Sequence, residues 1–77
     1  MDKETTIIII AQNGLKTAAT YFISKAAKLN KQAEKATDPA TKSKLTKDAA
    51  KARKLASILT ASDQGLTSYL SENSSEV

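Results

Sequence analysis

Lys28 and Lys35 are seven residues apart, as are Lys44 and Lys51, while Lys47 and Lys54 repeat that interval beside Lys31. Ammonium groups one or two helical turns apart neutralise phosphates. Each is a point charge without the fork of arginine, so the row would hold a polyanion backbone without reading bases. Binding of that kind is salt-sensitive and largely blind to sequence. The competing reading is a solvated outer face, since the net charge of the whole chain is only +4. No aromatic residue lies between Lys25 and Lys54, which argues against base stacking and favours duplex RNA or DNA over single strands.

Other chemistry is poorly supplied. The chain has neither cysteine nor histidine, which removes disulfides, thiolate or imidazole metal sites and the usual nucleophile and base pairs. Its eight carboxylates are scattered, and 77 residues promise no pocket in which a general acid and base could meet. The expectation is a protein that is not an enzyme and takes no cofactor or metal.

The elements that would position the lysines are two helices folded about Ala36-Thr37-Asp38-Pro39. Pro39 is the only proline of the chain. Asp38 suits a helix N-cap, Pro39 suits the first helical position, and the residue before a proline is pushed out of helical geometry. Helices are therefore predicted over about 4–36 and 39–70, with a turn at about 37–38. Residues 1–70 make one helical hairpin and 71–77 a disordered tail too poor in apolar residues to fold.

Both arms carry a seven-residue repeat. Ile8, Leu15, Phe22, Leu29 and Ala36 form one row, called position a, and Ala19, Ala26 and Ala33 form a second at position e. Leu45, Ala52, Leu59 and Leu66 are the a row of the second arm, with Ala49, Ala56 and Leu70 at e and Leu55 and Tyr69 at d. Alanine at a seam lets helices approach closely, although simple alanine richness from helix propensity reads the same way. An antiparallel fold then pairs Phe22 with Leu55, Leu15 with Ser62, and Ile8 with Tyr69 and Leu70. Gly14 and Gly65 come within a turn of the same level, suggesting a kink or a close crossing. Asp48, at position d near Lys25 and Lys28, is a candidate polar residue for fixing the register.

The first turns are ambiguous. Thr5 to Ile10 is β-branched throughout and Asn13-Gly14 is a strong turn dipeptide, so a strand followed by a turn competes with helix. Helix is preferred, because Ile8 and Ala11 continue the repeat and a lone strand would find no partner.

Charge divides the chain. Between Lys25 and Lys54 stand ten basic residues against Glu34, Asp38 and Asp48, a local net charge of +7. Lys28, Lys35, Lys44 and Lys51 fall at g and Lys31, Lys47 and Lys54 at c, so the g rows of an antiparallel pair would join into one basic strip. The opposite side (positions b and f: Thr20, Ile23, Ala27, Ala50, Ser57, Thr60) is mostly small and uncharged. Together with the e-row alanines it reads as the surface meeting another hairpin, giving a homodimeric four-helix bundle. A soluble monomeric hairpin is the alternative.

The second functional reading is protein docking. Ile7, Ile9 and Ile10 exceed what one seam can bury, and an uncovered isoleucine cluster would seat another protein, as in an adaptor or inhibitor of phage or mobile-element type. The apolar run at residues 7–11 is too short for a signal-peptide core or a membrane span, so a cytoplasmic accessory protein is expected. In outline such a hairpin is similar to small dimeric helical hairpins that bind RNA in plasmid copy-number control. No residue pattern of that family maps onto this chain, and no site is carried over.

Overall fold

The computed structural model describes residues 2–74. Within them the chain forms two helices, α1 (Lys3–Lys35) and α2 (Pro39–Ser74), packed side by side in a hairpin 60 × 16 × 11 Å. No strand occurs among the described residues.

Helix α1 begins on Asp2, whose extended backbone and carboxylate cap the first turn: Thr5 N–H donates to Asp2 Oδ1 at 2.7 Å. The Thr6 hydroxyl also donates back to the Asp2 carbonyl at 3.0 Å. These bonds anchor a β-branched segment as helix, and Ile8 and Ile9 then half-bury themselves against α2, so packing overrides intrinsic strand preference. Asn13-Gly14 makes no turn. The Thr17 hydroxyl donates to the Asn13 carbonyl at 2.9 Å and the helix runs on.

At the other end Ala36 leaves helical geometry, while its N–H still donates to the carbonyls of Gln32 and Ala33. Asp38 caps α2: its Oδ2 accepts from Thr41 N–H at 3.1 Å and from the Thr41 hydroxyl at 2.8 Å. Pro39 occupies the first helical position, where a missing N–H costs nothing. The second helix extends beyond the expected end. Residues 71–74, expected as tail, continue α2, because no glycine or proline follows Leu70 and each added residue gains a hydrogen bond once the helix exists. Residues 75–77 lie outside the described residues.

The seam is built of alanine. Ala19, Ala26 and Ala33 of α1 and Ala49, Ala52 and Ala56 of α2 are buried, and no large side chain is fully buried among the described residues. Methyl-sized seams bring helices toward the short end of the roughly 8–10 Å interaxial range. Ile8, Leu15, Phe22 and Leu29, with Leu45, Leu59, Leu66 and Leu70, flank this line half-buried. The e-row alanines are therefore used inside the hairpin and are not open to a second hairpin, a correction to the dimer surface expected from the sequence. The register is the expected one: Phe22 and Leu55 line one groove, and Ile8 and Tyr69 line another hollow.

Two polar details were not expected. Gln12, 8% exposed, sits seven residues before Ala19 on the buried row. Its Nε2 donates across the seam to Thr67 Oγ1 at 2.8 Å and to the Asp63 carbonyl at 3.2 Å. The glycines also differ from expectation. A Cβ added at Gly14 or Gly65 would meet nothing within 4 Å, and neither has a positive φ, so no close crossing of α1 and α2 requires them.

Candidate functional site

Lys28, Lys31, Lys35, Lys44, Lys47, Lys51 and Lys54 are all exposed. Their arrangement follows from where the seam falls. At 100° per residue, position c lies about 160° from both a and e, so Lys31, Lys47 and Lys54 stand on the outer flanks of their helices. Position g lies about 120° from a, on the d side, so Lys28, Lys35, Lys44 and Lys51 border one broad side of the hairpin. The lysines thus form two bands around the turn half rather than one flat strip.

On the d side the bands meet at a groove. Phe22, Leu29 and Leu55 line it, with Lys25, Lys51 and Asp48 also on its walls. Lys25 and Leu29 also border the adjoining hollow with Tyr21 and Lys28. Lys25 therefore shares one hollow with Lys28 and the groove with Lys51. Lys25 was not among the residues picked from the sequence, although its place at d, level with Lys51, was readable. Asp48, half-buried, stands between ammonium groups and partly offsets them.

The turn itself carries a fixed negative charge. Hydrogen bonds from the Thr41 hydroxyl and then the Thr41 N–H hold the Asp38 carboxyl below its ordinary value. Asp2 is held low at the start of α1, first by the Thr5 N–H and then by the Thr5 hydroxyl.

The three isoleucines do not form one patch. Ile7 and Ile10 are exposed, but Ile9 is half-buried on the other edge of the seam. Ile7 instead shares a hollow with Glu4, Ile8, Leu66 and Tyr69. Elsewhere on the d side Tyr21 stacks edge-on against Phe22, ring centroids 5.1 Å apart. Among the described residues no helix is long and apolar enough to cross a membrane. Comparisons with protein-family models, curated proteins and solved structures return no match for this chain.

Proposed function

We propose that this chain is a small non-enzymatic accessory protein that holds the phosphates of duplex RNA or DNA with the lysines around its turn. The observation that supports this reading is the exposure of all seven lysines on the half of the hairpin that carries a net charge of +7. Two helices keep those charges at fixed spacing, which lowers the entropic cost of engaging several phosphates at once. Self-association into a homodimeric four-helix bundle doubles the basic bands.

Titration of a labelled duplex at several salt concentrations tests the reading. Contact with about four to six phosphates gives a slope of log affinity against log salt of about −4 to −5. Lys44→Glu with Lys51→Glu should abolish binding without loss of helicity, whereas changing Lys3 and Lys16 should matter little. No retention of either duplex at low salt, or equal weakening by both pairs, refutes it.

The exposed apolar side chains at the terminal end favour a second reading, docking to another protein through Ile7 and Ile10. Partners that survive nuclease treatment and are lost on Ile7→Glu would support it in place of the first.

A further inference from the structure

The d side of the hairpin is zoned along its length. Of the seven most exposed large apolar residues among those described, five (Ile7, Tyr21, Leu55, Ile58 and Tyr69) fall at g or d. They occupy the terminal half, while Lys25, Lys28 and Lys51 begin the charged half on the same side. The terminal half is symmetric about its own middle. Ile7 and Tyr21 lie seven residues either side of Gly14, and Tyr69 and Leu55 lie seven either side of Ser62. Gly14 and Ser62 come to the same level in the observed register, and the space over Gly14 is open.

We infer that this half-face seats a second copy of the chain, related by a two-fold axis across the level of Gly14 and Ser62. The inference rests on the self-association proposed above and assigns its face, register and polarity. Each helix then lies antiparallel on its own counterpart. Ile7 meets Tyr21 of the second copy, Tyr69 meets its Leu55, and the small residues meet at the axis, where backbones can come close.

Charge selects this stagger. A two-fold axis along the hairpin would lay one +7 half upon the other, and a full antiparallel overlap would lay Ile7 against lysines. The staggered overlap ends where Lys25 reaches Glu4 of the second copy, on the wall of the Ile7 hollow. It covers about 22 residues of α1, roughly 33 Å at 1.5 Å each, across a hairpin 16 Å wide. That strip approaches the scale of a standard interface side. The core favours such a layer: six buried alanines flanked by side chains only half-buried offset little of the entropy of 77 residues, and a second apolar layer adds to them. The lysine bands project from both ends of the assembly.

The chain has no cysteine, so single substitutions report the register directly. Gly14→Cys and Ser62→Cys should each oxidise to a covalent dimer, because only residues at the axis meet their own copies. Ile23→Cys, on the opposite side, should not. In light scattering at micromolar concentration the wild type should have twice the chain mass. Leu55→Glu should weaken association at least tenfold with helicity kept, and Ile23→Glu should leave it unchanged. A dimer that dissociates with Ile23→Glu but not with Leu55→Glu, or that cross-links through Ile23→Cys alone, overturns this face and leaves self-association standing. A wild-type monomer with a dilution-independent thermal midpoint overturns both.

Discussion

Gln12 Nε2 donates to Thr67 Oγ1 at 2.8 Å across the alanine seam, joining residues 55 positions apart in the chain. Thr67 is itself tied to its own helix by donation to the Asp63 carbonyl at 3.1 Å. A smooth alanine seam slides easily, and one part-buried polar pair bridging it penalises every other register.

Replacing Gln12 separates its two roles. Gln12→Ala loses both hydrogen bonds and the side-chain volume, so it should destabilise by about 1–3 kcal/mol. Gln12→Leu keeps volume on an apolar seam and orphans no donor, since the Thr67 hydroxyl still has the Asp63 carbonyl. Its thermal midpoint should match or exceed wild type, with a broader transition as register loosens. An equal loss in both variants would show that the hydrogen bonds dominate.

Asp63 is placed less favourably. Its Oδ1 is buried with no hydrogen-bond partner among the described residues. Removing an unsatisfied buried oxygen recovers its desolvation cost, and alanine extends the seam row 49, 56, 63. Asp63→Ala should therefore raise stability by about 1 kcal/mol in urea unfolding, leaving the Gln12 bond to the backbone carbonyl intact. A loss of more than about 1 kcal/mol would mean that the carboxylate has a partner.

The hairpin was largely legible because its signals are local and mutually consistent. Asp38-Pro39 specifies a cap and a first helical residue, and the seven-residue rows specify a face. The centre of that face was harder to read, since a, d and e all carry apolar residues and only packing chooses the alanine line. That choice turned the c lysines outward and closed the e row to other molecules. Gln12 and Asp63 stood on the same rows as the alanines, yet their polarity disguised them as surface. Lys25 was legible as a neighbour of Asp48 but not as part of the basic face, because it is a charged residue at a seam letter that the structure opens into a groove.

Capping by carboxylates predicts an acid limb. Thr41 and Thr5 hold Asp38 and Asp2 below the ordinary carboxylate value of 3.8. A group whose folded value is depressed contributes stability above its unfolded value and loses it as pH falls through the folded one. Thermal midpoints should therefore drop as pH falls below about 4. Asn accepts the same N–H without titrating, so Asp2→Asn with Asp38→Asn should flatten that limb and keep the neutral-pH midpoint close to wild type. An unchanged acid limb would assign acid sensitivity to other groups.

Asp48 gives the most direct probe of the basic face. It lies beside Lys51 at the turn end of the groove, beyond the overlap inferred above, where its negative charge opposes an approaching phosphate. Asp48→Asn preserves shape and raises the local net charge from +7 to +8 over residues 25–54. At fixed low salt the affinity for duplex should rise about twofold to fivefold, the scale of one partly screened charge. The salt slope should change by less than one, because no new phosphate contact is made. Glu34, exposed at position f on the other side, supplies the control. If phosphates sit on the d side, Glu34→Gln should have the smaller effect, and the advantage of Asp48→Asn should vanish when Lys44 and Lys51 are both glutamate. Equal gains from the two substitutions would mean that overall charge, rather than this groove, attracts the polyanion.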